Sequence, residues 1–417
     1  MSEEKNRKTI CLTMIVKNES KTIQRCVESV EKFIDYWVIV DTGSTDGTQE
    51  IITNLMKEKG ILGELHERSW VDYSTNRNQS LELSEGKADY RLIIDADDVL
   101  ATKDDSVFDN LDKDSYKVMI RLGNLSYYRT QLVRGDQDWK YKGVIHEYIT
   151  GPEGNTDEFL NGVEMHASVS GDTREIKGKD KYYNDALVIE KTLLTDPSLE
   201  QDEDLKRRYV FYLAQSYRDG GVYDRALENY EKRASMGGWE EEVYISMYWI
   251  ANLKKILGKA KEEIIDSYMR AWEYRPFRLE AMYSLVRFLI EEKRYNFAFA
   301  LTTVAMRSPA CNDVLFVEEE IWRWRMPDEY SVLCYYTGNF KEAYNSAKKL
   351  SENKFYQIIP DAEKERIQKN LQAFHEAAFP EEYQNKQSES IAENSLLSQE
   401  EALELKAENE LTGYENG

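Results

Sequence analysis

Hydrophobic positions along the first hundred residues switch between two periods. The run TICLTMIV, Thr9 to Val16, is almost unbroken in apolar character, which predicts a strand covered on both faces. Ile23, Val27, Val30 and Ile34 then recur at helical spacing, and YWVIV, Tyr36 to Val40, is strand-like again. After the turn DTGSTDGT, Ile51, Ile52, Leu55 and Met56 share one helix face. A helix near Asn78 to Leu83 precedes LIID, which returns as a strand. Strand and helix in alternation predict a parallel sheet with right-handed crossovers. Such sheets bind ligands beyond the carboxyl ends of their strands, and there the polar motifs lie: KNES after the first strand, DTGSTDG after the second, DADD after the later one.

From about Arg207 the pattern becomes purely helical. Leu213, Ala214, Tyr217, Ala226 and Tyr230 sit at the offsets of a tetratricopeptide repeat, where small residues let antiparallel helices pack closely. Ala260, Ala298 and Ala343 continue the series with a degenerate period, which predicts three or four helical hairpins, the last at NFKEAYNSAKKL. Three regions follow: an α/β domain over 1–200, a tetratricopeptide-like all-α domain over 201–379, and an acidic tail over 380–417. That tail holds ten Glu and two Lys and is expected to lack a fold.

The net charge of −22 opposes binding to nucleic acid or anionic membrane through counterion release. Cys11, Cys26, Cys311 and Cys334 form no CxxC pair, so neither a zinc knuckle nor a disulfide framework is suggested. No apolar run approaches the roughly 18 residues of a membrane helix. The expected compartment is a cytoplasm, that of the host if the product is viral.

The stretch RLIIDADDVL raises the chemical question, because it drives a strand into Asp95, Asp97 and Asp98. A divalent cation would offset their repulsion, and a hard oxygen site suits magnesium or manganese with diphosphate oxygens completing the shell. The plainer alternative is a solvated acidic turn. In DTGSTDGT, Asp41 at the strand end has the chemistry to accept hydrogen bonds from a nucleoside, while Thr45 or Asp46 has that of a helix cap. The loop lacks both the P-loop and the dinucleotide-binding glycine pattern.

LTMIVKNES, RCVESV, WVIVDTGSTDGTQEI, STNRNQSLELSEGKADYRLIIDADDVL and WKYKGVIHEY, in this order over about 140 residues, resemble the family-2 glycosyltransferases of GT-A fold. The helical C-terminal part resembles the branch in which such a domain is joined to tetratricopeptide repeats, which includes enzymes that glycosylate bacteriocin peptides. The resemblance implies that Thr13, Asn18 and Glu19 help hold the nucleotide, that Asp41 contacts uridine with Asp46 second in line, and that Arg77 and Asn78 form the Arg-Asn pair before the metal motif. It further implies that Asp95 and Asp97 contact ribose and a diphosphate-bound metal, with Asp98 beside them. His146 and Glu147 match the family's His-Glu pair, His146 as a third metal ligand and Glu147 as general base, with the division of roles between them open. The bland reading of His146 is a strand-edge residue satisfied by a carbonyl. Trp139 and Tyr141 fit either an acceptor platform or core packing; His66, His166 and His375 have no such support.

The implied reaction moves a sugar from a nucleotide-diphosphate donor, a UDP-sugar first, to a peptide, protein or glycan acceptor by inverting displacement. Manganese or magnesium would neutralise the leaving group. Two alternatives stay open: a tetratricopeptide adaptor carrying an inactive transferase-like domain, and a transferase acting on modified DNA, which the acidic balance disfavours.

Overall fold

The computed structural model describes residues 7–122, 125–167, 178–309 and 311–381, so nearly all of the acidic tail lies outside the described residues. The described chain divides into two compact units. One runs up to Ile264 and includes Asp313–Phe316; the other takes the remaining residues from Ile265 onward.

In the first unit, β1 (Ile10–Val16), β2 (Tyr36–Asp41), β3 (Leu62–Glu67) and β4 (Tyr90–Ile93) form the parallel part of an eight-stranded sheet. The first two crossovers are α1 (Ile23–Val30) and α2 (Thr48–Lys59). Helix α1 buries Ile23, Cys26, Val27 and Val30, the stripe visible in its spacing. Helix α2 ends at Gly60, whose φ of 70° is the left-handed closure that glycine permits, with Lys57 and Lys59 in its last turn. The crossover into β4 is α3 (Tyr73–Leu83), opened by Asp72, whose side chain accepts from the Thr75 amide at 2.7 Å. It buries Asn76, Arg77, Ser80 and Leu81, a largely polar face.

Beyond β4 the sheet is mixed, not purely parallel as the alternation predicts. Strand β5 (Val99–Thr102) is followed by β6 (Ser115–Leu122) and β7 (Leu125–Arg134), joined as a hairpin, so β7 runs antiparallel to both β6 and β4. Strand β10 (Asp157–His166) pairs with β6 and β5, giving the order β3-β2-β1-β4-β7-β6-β10-β5. A small second sheet pairs β8 (Lys140–Lys142) with β9 (Tyr148–Thr150). The main core includes Met14, Val27, Ile39, Leu92, Val118 and Leu132. A smaller cluster of Leu81, Ile93, Val133 and Trp139 takes in Tyr141 at its edge, so Trp139 is a core residue and not an exposed platform.

Helices α4 (Lys179–Thr195), α5 (Glu203–Asp219), α6 (Tyr223–Ser235) and α7 (Glu240–Ile256) complete the first unit. Leu213, Ala214, Tyr217, Ala226 and Tyr230 are all buried, as close hairpin packing requires. The division falls within α8 (Lys261–Tyr274), where the buried small residue is Ala271; Ala260 is exposed before the helix begins. The second unit continues with α9 (Glu280–Glu291), α10 (Tyr295–Ala305), α11 (Met326–Tyr336), α12 (Phe340–Ser351) and α13 (Asp361–Ala378). Ala298 and Ala343 are buried there, and Trp324 of the IWRWR turn packs with Leu350, Ile359 and Ile367. No described helix is long and apolar enough to cross a membrane.

One buried cation ties the crossover helix to the sheet. Arg91 on β4 is 3% exposed and donates to the carbonyl oxygens of Leu81 (3.1 Å), Arg134 (3.1 Å), Gly135 (3.1 Å) and Gln137 (2.6 Å). Removing the donor leaves the buried contacts at the Leu81 and Gly135 carbonyls without their partner. Arg91→Met should lower the unfolding free energy by about 2–4 kcal/mol in urea titration; a loss below about 0.5 kcal/mol would contradict this anchor role.

Candidate active site

The loops after β1 and β2 are knitted together before any ligand is considered. Asn18 adopts φ 56°, a left-handed conformation that asparagine tolerates. Its amide N–H donates to Ser44 Oγ at 2.9 Å, and its Oδ1 accepts from the Thr45 N–H at 2.8 Å. Asp46 accepts from the Ser20 N–H at 3.0 Å and from Thr48 Oγ1 at 2.6 Å; Thr48 Oγ1 accepts in turn from the Glu19 N–H at 2.8 Å. The Glu19 carboxylate accepts from the Thr22 hydroxyl at 2.6 Å. Burial opposes ionisation of Asp46, but hydrogen bonds from Thr48 and Ser20 outweigh it and hold the carboxyl well below the usual range. Asn18, Glu19 and Asp46 thus brace the loops after β1 and β2, and Thr13 lies buried at the middle of β1.

Asp41 is different. It closes β2 and is fully buried. Its Oδ1 accepts from the N–H groups of Gly43 and Ser44 and from Gln49 Nε2, each at 2.9 Å, while Oδ2 is enclosed with no hydrogen-bond partner among the described residues. Burial raises its pKa, and the hydrogen bonds from Ser44, Gln49 and Gly43 more than reverse this, so the group is an ionised carboxylate. An unpartnered buried acceptor of this kind is destabilising by about 1–3 kcal/mol and is relieved by a ligand donor.

The acidic exit of β4 meets a guanidinium hub. Arg77, from α3, donates from Nη2 to Asp95 Oδ1 at 2.6 Å and from Nε to Glu147 Oε1 at 2.9 Å, with its plane 5.4 Å from the Tyr141 ring. Arg129, from β7, reaches the other Asp95 oxygen at 3.3 Å and lies 3.9 Å from Asp98. Burial disfavours both charges, yet Asp95 raises the Arg77 pKa further, and the two arginines hold Asp95 far below its ordinary value. The turn itself is fixed by the Asp98 N–H on Asp95 O at 3.0 Å and by Arg25 on Asp97 O at 2.9 Å. Asp97 and Asp98 are 7% and 2% exposed. The partner of Arg77 in the Arg-Asn pair serves as scaffold. Asn78 donates to Tyr141 O at 2.9 Å and accepts from its N–H at 2.7 Å, clamping β8 onto α3.

His146 and Glu147 follow β8 in a loop with two left-handed residues, Gly143 at φ 104° and His146 at φ 54°. Glu147 points to Arg77. The His146 ring stacks on Tyr212 with centroids 3.9 Å apart and planes at 10°. Burial first, then Arg208 and Lys181, push its pKa down to about 4, so the imidazole is neutral. Among the described residues no three His, Cys, Asp or Glu side chains are grouped to hold a metal, and the His146 ring lies on Tyr212. His66 is paired with Glu64 at 2.9 Å. The motif reading misses Arg129 and Arg25, whose only trace is a lone arginine in YYRTQL and another in an amphipathic helix.

Residues 11–122 match the family model described as Glycosyl transferase family 2. A TPR repeat-containing protein of Synechococcus elongatus is 31% identical over 149 residues; the match covers 34% of this chain and only 35% of that protein. TarS of S. aureus, solved in complex with UDP-GlcNAc, has a TM-score of 0.36 at 14% identity, over 64% of this chain and 90% of that one. MamA has a TM-score of 0.33 at 16% identity, over 44% of this chain and 94% of its own. A mixed α/β domain of GT-A type followed by tetratricopeptide-like helices is the architecture that the sequence resemblance implies.

The Arg77–Asp95 pair carries a pH signature. A depressed carboxylate stabilises the fold above its unfolded pKa, about 3.9, and the contribution fades as pH falls towards the folded value. Arg77→Met should therefore cost about 2–4 kcal/mol at pH 7, with the difference from wild type shrinking below about pH 5, read as urea midpoints across pH. An equal loss at pH 7 and pH 3 would contradict the charge pairing.

Proposed function

We propose, from the match of residues 11–122 to the family model described as Glycosyl transferase family 2, that the chain moves a sugar from a nucleoside-diphosphate donor, a UDP-sugar, to a peptide, protein or glycan acceptor with inversion at the anomeric carbon. The observation that carries this reading is the Arg77 hub. One buried guanidinium holds both the strand-exit acid Asp95 and the loop acid Glu147, so the donor and acceptor poles share one clamp.

In this scheme the enclosed oxygen of Asp41, unpartnered among the described residues, accepts a hydrogen bond from the nucleoside, beside loops braced by Asn18, Glu19 and Asp46. Arg129, with part of its side chain exposed, turns positive charge towards the diphosphate. A cation fits the donor set in one form only. Asp97, beside an Asp95 already shared between two guanidiniums, suits magnesium or manganese that takes one or two carboxylates and completes its shell with diphosphate oxygens and water. Such an ion, when bound, supplies Lewis-acid neutralisation of the leaving group. The residues do not fit an all-protein cage that includes His146.

Glu147 is the general base. Arg77 fixes Oε1, which leaves Oε2 to take the acceptor proton as the new glycosidic bond forms and the bond to diphosphate breaks. The placement of His146 on Tyr212 makes it a loop-positioning residue in this reading.

Glu147→Gln should reduce turnover of a UDP-sugar by about 100-fold or more while calorimetric affinity for UDP stays within about threefold. Asp41→Asn should do the reverse, weakening UDP by about tenfold or more. Excess chelator should stop turnover, and manganese should restore it. Full activity of Glu147→Gln removes the base, and full activity in chelator removes the cation.

A further inference from the structure

We propose that Arg208, Tyr209 and Tyr212 of α5 are positioning residues for the reaction, so that the first helical hairpin is part of the catalytic machinery and not only a separate binding module. The proposal rests on the role given to Glu147.

Helix α5 grips the Gly143–Glu147 loop at three points within the first unit. Tyr209 Oη accepts from the Val144 N–H at 2.9 Å. Arg208 donates to the His146 carbonyl from Nε at 3.1 Å and from Nη2 at 3.0 Å. Tyr212 lies flat on the His146 ring, and the Arg208 guanidinium sits 4.8 Å from the ring centres of both Tyr212 and Tyr148. Lys142, just before the loop, pairs with Asp202 at the helix start at 2.6 Å.

The loop needs this grip. His146 has φ 54°, a left-handed conformation uncommon outside glycine, although histidine is among the residues that adopt it, so the contacts that hold its ring and carbonyl help to keep the loop in this shape. The next residue is Glu147, whose carboxylate must stay against Arg77. With His146 free to relax, the peptide plane that aims Glu147 would turn, and misplacement of a reacting group by about 1 Å costs about 100-fold in rate. The grip is itself anchored: Arg208 lies 3.9 Å from Glu242 of α7, and the buried Arg233 of α6 holds the same carboxylate at 2.9 Å. A change in the hairpin therefore has a mechanical route to the acceptor side of the site.

The test compares Tyr212→Ala, Tyr212→Phe and Tyr209→Phe in the full chain. Turnover is read with UDP-glucose and UDP-N-acetylglucosamine with water as acceptor, UDP affinity by calorimetry, and amide exchange over 143–147 by mass spectrometry. Tyr212→Ala should lower kcat by about 30- to 100-fold with UDP affinity within about twofold, and Tyr212→Phe, which keeps the ring, should restore most of it. Tyr209→Phe should speed exchange at the Val144 amide. Unchanged exchange in both Tyr212→Ala and Tyr209→Phe overturns the grip, and unchanged kcat with faster exchange overturns its catalytic relevance. Loss of UDP affinity in step with kcat also overturns it, because general unpacking would do that. A fully active Glu147→Gln protein would remove the base assignment and with it the catalytic relevance of the grip, whereas the grip itself is judged by the exchange readout, which needs no turnover.

Discussion

A guanidinium that is 7% exposed, shared between two acids from different parts of the fold, organises this molecule. Arg77 sits on a crossover helix, Asp95 at the exit of the next strand, and Glu147 in a loop some fifty residues further on. Buried charges persist when paired and hydrogen-bonded, and the planar fork of arginine holds two carboxylates in a fixed geometry that the flexible ammonium of lysine does not impose. The constraint works in both directions. Arg77 needs α3 to bury a polar face, which Arg91 secures by binding the Leu81 carbonyl of the helix and Asn78 by binding the Tyr141 backbone of β8. Asp95 needs the turn that Arg25 and the Asp98 amide hold.

Around this hub the polar residues divide into braces and open groups. Asn18, Glu19, Asp46 and Asn78 all lie where a ligand contact is expected, and each is hydrogen-bonded to neighbouring loops or strands. Their chemistry sets the shape of the crevice. Asp41 keeps one enclosed oxygen without a hydrogen-bond partner among the described residues. This division explains the acidic strand exit, because much of its charge is met inside the protein by Arg77 and Arg129.

The legible parts of the fold are those in which one physical signal dominates. Strands β1, β2 and β4 are covered on both faces and therefore read as apolar runs, and the hairpin helices show their buried alanines and tyrosines at helical offsets. Strand β3, LGELHE, is half exposed with a glycine and two glutamates, so no apolar run marks it. The mixed character of the sheet is hidden because direction is set by the β6–β7 hairpin, not by residue type. The polar residues at the strand exits were legible as types, but not their partners. Nothing local tells that Arg129 meets Asp95, or that Tyr212 lies on His146, since both pairs join segments far apart in the chain.

The most direct test of the account is a crystal structure of the chain soaked with UDP and manganese. The account predicts the nucleoside within hydrogen-bond distance of Asp41 Oδ2, and the diphosphate beside Asp97 with a cation between them. Arg77 should still bridge Asp95 and Glu147. A nucleotide bound elsewhere, or a crevice that stays empty at saturating UDP with the Asp41 oxygen still unpartnered, would contradict it.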